Sequence, residues 1–133
     1  MTFNYLHRLL LRFRYPVSLP QDVAEDLGLT LSKYVTFEEF VKLLTNPHFR
    51  PTKLKKFMSR YAAEASFHHA LKTERFSNNT LFSFYFNEGW VEFDLLFDEN
   101  DRLRRLYVQH KQIAEDEGIE IPLEREADDM NNL

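Results

Sequence analysis

The sequence predicts an α+β fold: a helical N-terminal half with one long central helix, packed on a three-stranded antiparallel β-meander and followed by a flexible acidic C-terminal tail. Three observations carry the prediction. Apolar residues recur at helical spacing as far as about residue 75, the period switches to two between 80 and 110, and acids dominate from 113 onward. A chain of 133 residues supplies one hydrophobic core, so 1–112 are expected to form a single domain and 113–133 a disordered tail.

The first element is an amphipathic helix over about 1–15, in which Phe3, Leu6, Leu9, Leu10 and Phe13 share a face and His7, Arg8, Arg12 and Arg14 fill the gaps. It lacks the uninterrupted apolar stretch and small-residue cleavage site of a secretory signal, so it reads as a helix of the mature protein. Pro16 and Pro20 bracket a connector to a short helix over about 21–27, stopped by Gly28. Thr36 and Glu39 form a capping box, and Val35 and Phe40 occupy the positions of a hydrophobic staple. These residues start a helix over 37–45 that Asn46–Pro47 ends.

The longest helix is expected over about 52–75, capped by Thr52, with Leu54, Phe57, Met58, Tyr61, Ala65 and His68 as its stripe. It would span about 35 Å, the width of the domain. After Ser77–Asn78–Asn79, Phe82, Phe84 and Phe86 alternate against Leu81, Ser83 and Tyr85, and Val91, Phe93, Leu95 and Phe97 alternate against Trp90, Glu92, Asp94 and Leu96. A hairpin at Asn87–Glu88–Gly89 joins these two strands, and a turn at Asp98 to Asp101 leads to a third strand over 102–110. The segment from 113 holds eight acids against one Arg, the composition of a solvated tail, although Ile119, Ile121 and Leu123 could dock as an edge strand.

Composition excludes several classes of function. Without cysteine there are no disulfides, thiolate metal sites, Cys nucleophiles or iron–sulfur clusters. Three glycines leave no phosphate-binding glycine loop, and no apolar run approaches the roughly 20 residues of a membrane span. A net charge of −4 weakens a nucleic-acid role, and the lack of cysteine fits a reducing cytoplasm. His68 and His69 are adjacent, so on a helix their side chains diverge by about 100° and do not readily share a metal, and Glu64 before His68 has no third ligand at readable spacing. Glu92 and Asp94 share a strand face, but Arg105 on the next strand accounts for them by cross-strand pairing. No cofactor, metal or catalytic residue is assigned.

Two surfaces remain. If the Phe-rich face of the meander packs on the long helix, the other face shows Leu81, Tyr85, Trp90, Leu96, Leu103 and Tyr107, more apolar area than a monomer usually exposes. Arg50, Lys53, Lys55, Lys56 and Arg60 put five cations in eleven residues, with Lys53, Lys56 and Arg60 on one face of the expected helix. The sequence is therefore read as a non-enzymatic protein-binding module, an adaptor or small chaperone-like cytoplasmic protein. It would hold another protein, or a second copy of itself, on the aromatic sheet face, with Arg50, Lys53, Lys56 and Arg60 meeting acidic groups or phosphates. Its size, acidity and class are those of small bacterial secretion chaperones, a likeness of composition that no motif carries. The alternatives are a nucleic-acid-binding regulator using the 50–60 cluster, and a small enzyme with a helix–sheet pocket around His68 and Tyr61.

Overall fold

The period-two segment folds as its alternation dictates, and then the sheet continues on both sides of it. In the computed structural model, which describes residues 17–31, 33–110 and 118–125, strands β2 (Lys72–Arg75), β3 (Asn79–Tyr85), β4 (Trp90–Phe97), β5 (Leu103–His110) and β6 (Ile119–Ile121) form a five-stranded antiparallel sheet in chain order. A separate parallel pair joins β1 (Lys55–Lys56) to β7 (Glu124–Arg125). The described helices are short: α1 (Pro20–Leu27), α2 (Phe37–Leu44) and α3 (Arg60–Ala65).

Local signals set the first two helices. Pro20 opens α1, the Leu19 amide donates to Asp22, and the chain leaves the helix at Gly28 in a left-handed conformation with φ 78°. A Cβ at Gly28 would also lie 2.9 Å from the Lys53 backbone nitrogen, so the close approach demands glycine as much as the dihedral does. The Thr52 hydroxyl donates to the Gly28 carbonyl and the Lys53 amide to the Leu27 carbonyl, which ties the end of α1 to the next connector. At α2 the capping box forms in both directions, Glu39 N–H to Thr36 Oγ1 at 3.1 Å and Thr36 N–H to Glu39 Oε1 at 3.2 Å. Both staple residues, Val35 and Phe40, are buried.

The long helix over 52–75 does not exist, and with it goes the helical N-terminal half packed on a three-stranded meander. The segment divides into β1, the six-residue helix α3, a turn and strand β2. Two physical reasons are visible. Phe57 takes φ 73°, which breaks any helix there, with its amide donating to the Leu103 carbonyl. Then Ser59 caps a new helix by accepting from Ala62 N–H, and residues 72–75 satisfy the outer edge of β3, an edge that a helix would have left unpaired. Within the expected flexible tail, 118–125 are described and ordered against the sheet: residues 119–121 add the far edge strand, as the apolar Ile119, Ile121 and Leu123 allowed, opposite Leu106 to Val108, and 124–125 pair with β1. The amphipathic segment over 1–15 lies outside the described residues, as do 111–117 and 126–133.

One face of the sheet is the core. Its cross-strand rows run Phe82, Phe93, Val108, Ile119 and Thr80, Leu95, Leu106, Ile121. The aromatic rings interlock there, Phe67 stacking on Phe82 at 4.4 Å and Phe84 meeting Phe93 edge-on at 5.8 Å. Helix α2 adds Phe37 and Phe40 against Phe86. Leu103 belongs to this core, fully buried, and not to the opposite face as alternation suggested. Its register explains why: Leu96 pairs with Arg105 and Phe97 with Leu103, so Arg104 is an extra residue in a bulge. The bulge lets Leu103 and Leu106 face the same way although three residues apart.

Candidate functional site

The open face of the sheet is built from residues that alternate with the core, and pairing aligns them into rows. Glu74, Leu81, Asp94, Tyr107 and Glu120 cross all five strands, Lys72, Ser83, Glu92 and Gln109 form the next row, and Asn79, Leu96 and Arg105 the one on the other side. Tyr85 and Trp90 pair at the end of the same face. Between Asn79, Leu96 and Arg105 on one side and Glu92 and Gln109 on the other lies a trough of about 530 Å³, with Leu81, Asp94 and Tyr107 in its middle row. It is both apolar and acidic.

Its carboxylates are poorly placed for a charged group. Burial pushes the Asp94 carboxyl above its ordinary range, despite the hydrogen bond it accepts from Asn79 Nδ2 at 2.9 Å. Glu92 is also pushed up, first by burial and then by repulsion from Glu74 and Asp94, with Ser83 and Lys72 opposing. Arg105 stands opposite Leu96, two pairs along from Asp94, and donates to the Tyr107 hydroxyl at 3.3 Å. Of the six residues expected on this face, Leu81, Trp90, Leu96 and Tyr107 are half-buried, Tyr85 is exposed and Leu103 is in the core. Alternation within the meander had put Glu92 and Asp94 on this face. Glu74 has no such signal, because the apolar spacing over 52–75 predicts a helix there.

The five cations at 50–60 do not meet as one helical face. Arg50 donates to the carbonyls of Pro47 and Phe49, and Lys55 pairs with Glu124 at 3.0 Å. Lys53 is exposed, while Lys56 lies over the Phe57 ring, which Arg104 and Arg125 also approach. Arg60 is buried and structural. Its Nη1 donates to Ser77 O at 2.8 Å, its Nη2 to Phe76 O at 2.5 Å and to Thr80 Oγ1 at 3.1 Å, and its Nε to Glu64 Oε2 at 3.2 Å. Glu64 accepts in addition from Arg75 Nε and the Thr80 hydroxyl. Burial pushes the Glu64 carboxyl up, but Thr80, Arg60 and Arg75 together hold it below its ordinary range.

His68 and Tyr61 do not share a helix. Tyr61 is 84% exposed on α3, and His68 sits in the turn after that helix. That turn brings together what helical geometry would have separated. The rings of His68 and His69 are 5.0 Å apart, and both face α1, where Asp26 is fully buried. Asp26 accepts from His69 Nδ1 at 2.7 Å and from the His69 amide at 2.9 Å, and lies 3.4 Å from His68 Nε2. Asp26 had one signal in the sequence, its place three residues after Val23 on the apolar side of a short helix.

Comparison of the chain with family models, with curated proteins and with solved structures finds no match. No helix among the described residues is long and apolar enough to cross a membrane.

Proposed function

We propose that this chain is a protein-binding module that holds a cationic, amphipathic segment of another protein on the open face of its sheet. The trough carries the reading: a partly apolar depression on a five-stranded sheet, with Glu92 and Asp94 half-buried within it. Around it the face sets four carboxylates, Glu74, Glu92, Asp94 and Glu120, against two cations, Lys72 and Arg105. A guanidinium or ammonium group entering the trough would meet carboxylates already partly desolvated, so little further desolvation opposes the ion pair. Leu81, Leu96 and Tyr107 would take the apolar side of the same segment, and Tyr85 and Trp90 would extend the contact along the sheet.

The same charges favour this reading over its rivals. Phosphates would be repelled from the face, and of the basic cluster that nucleic acid would need, Arg50, Lys55, Lys56 and Arg60 are engaged by carbonyls, carboxylates and a phenyl ring. Self-association through the face would set Glu92 and Asp94 close to their own copies, which costs free energy at neutral pH.

Trp90 is the only tryptophan, so its emission reports on the face directly. Adding a short amphipathic peptide of leucine and arginine should shift that emission, a leucine–glutamate peptide should not, and Glu92→Lys should abolish the response. Equal responses to both peptides, or an unchanged response in Glu92→Lys, would overturn the reading.

A further inference from the structure

A second cluster, built by other elements than the trough, has the chemistry of a metal centre. Glu25, His68 and His69 each offer a ligand atom, and the three atoms lie within 4.8 Å of one another. Three zinc-type bonds of about 2.0–2.1 Å at tetrahedral angles need ligand atoms about 3.3 Å apart. The group must therefore contract by at most about 1.5 Å, a movement within reach of the exposed side chains of Glu25 and His68.

The imidazoles are already oriented. His68 Nδ1 lies 3.3 Å from the Ala65 carbonyl oxygen and Nε2 lies 3.4 Å from Asp26 Oδ1, both of which only accept; with the proton on Nδ1, toward the carbonyl, Nε2 keeps its lone pair for a metal. His69 Nδ1 faces the Asp26 carboxylate at 2.7 Å and carries a proton for the same reason, again leaving Nε2 as the donor nitrogen. A buried carboxylate fixing the tautomer of a ligating histidine is the recurrent outer-shell arrangement of zinc sites. His68 Nε2 stands 3.4 Å from Asp26 Oδ1, close to one edge of a zinc tetrahedron, so a cation held there would be shared with a fully buried anion.

The surroundings are electrostatically right for a cation. Asp22, Glu25 and Asp26 all act on His69, and the last turn of α1, whose carbonyls form the negative end of the helix, holds no basic residue. Beside the histidines a cavity of about 260 Å³, lined also by Val17, Ser18 and Asp22, leaves room for water or another ligand at a fourth position.

We propose that Glu25, His68 and His69 bind a divalent transition-metal ion of the zinc class, with Asp26 as the positioning residue for His69. Nitrogen and carboxylate donors in this ratio suit zinc or cobalt(II) better than calcium or magnesium, which prefer oxygen alone.

The test uses the full chain, stripped of metal with a chelator and titrated with cobalt(II) and zinc. Cobalt(II) should give a saturable visible absorption of tetrahedral type at one equivalent, and zinc should displace it and raise the thermal midpoint. Glu25→Gln and His68→Gln, both at exposed positions, should fold normally and weaken binding at least about tenfold, while His48→Gln, in the exposed turn after α2, should leave it unchanged. Asp26→Asn should weaken binding by about 10–100-fold. Absence of the cobalt band and of a zinc effect on the midpoint would overturn the proposal. So would binding that survives Glu25→Gln with His68→Gln, or that is lost in His48→Gln.

Discussion

Two carboxyl-bearing sites in this protein, one on helix α3 against the edge of the sheet and one on the open face of the sheet, behave in opposite ways. At the edge of the sheet Glu64 is wrapped by Arg60, Arg75 and Thr80, and its carboxyl is held below the ordinary range. On the open face Glu92 and Asp94 meet an amide, a hydroxyl and each other, and burial pushes both up. The first site has its cations in contact within the fold and closes the turn between β2 and β3. In the second, Lys72 opposes the rise at Glu92 and Asn79 the rise at Asp94, and burial outweighs both. The difference is that between a structural ion-pair network and the face we propose for binding: in the one, desolvation is offset by partners within the chain, and in the other burial outweighs them.

The sharpest way to break this comparison is to remove Arg60. Arg60→Ala would leave Glu64 without its buried partner and the Phe76 and Ser77 carbonyls without a donor, and should destabilise by about 3–5 kcal/mol. Urea denaturation measures it, and a loss below about 1 kcal/mol would mean that the network is no more than a surface pair. Next in size is the contrast between two leucines that alternation places on one face. Leu103→Ala should cost about 2–5 kcal/mol and Leu96→Ala clearly less, because Leu103 is in the core and Leu96 lines the trough. Similar losses in the two would abolish the distinction between the faces.

Smaller effects come from charge. Glu64 contributes stability that is present above its ordinary pKa and is lost as pH falls through the lowered one. Glu92 and Asp94 act with the opposite sign: with raised pKa values, they favour the folded state when protonated, and stability falls as pH rises through the window between ordinary and raised values. The double variant Glu92→Gln, Asp94→Asn should therefore match the parent in acid and exceed it in thermal midpoint at neutral pH, a gap that opens as pH rises. A variant less stable than the parent at neutral pH would mean that cations within the chain already satisfy the face. Smallest of all, Trp90→Ser should cost little stability while weakening capture of the leucine–arginine peptide. An unfolded protein would place Trp90 in the core instead.

Much of the open face was legible because strand alternation is a local rule: once 80–86 and 90–97 are strands, Leu81, Tyr85, Trp90, Glu92, Asp94 and Leu96 must share a side. Leu103 escaped that rule through a single extra residue, Arg104, whose bulge depends on how β5 meets β4. Glu74 and the histidine pair escaped because both lie in the stretch over 52–75. There the spacing of Leu54, Met58, Tyr61 and Ala65 satisfies a helix on paper, and no local residue announces strand β2.

What the sequence by itself determined is what neighbours in the chain decide among themselves. The capping box at Thr36 and Glu39, the end of α1 at Gly28, and the hairpin and turn joining β3, β4 and β5 each rest on side chains and backbone within a few residues. Tertiary structure alone decided the fate of 52–75 and the pairing of 124–125 with β1. A helix over 52–75 would satisfy its own backbone but leave the edge of β3 open and Phe82 without the ring of Phe67. The observed path gives up most of that helix and gains a hydrogen-bonded edge, a buried Arg60 and an aromatic stack. Those gains come from residues distant in sequence, so local periodicity does not contain them.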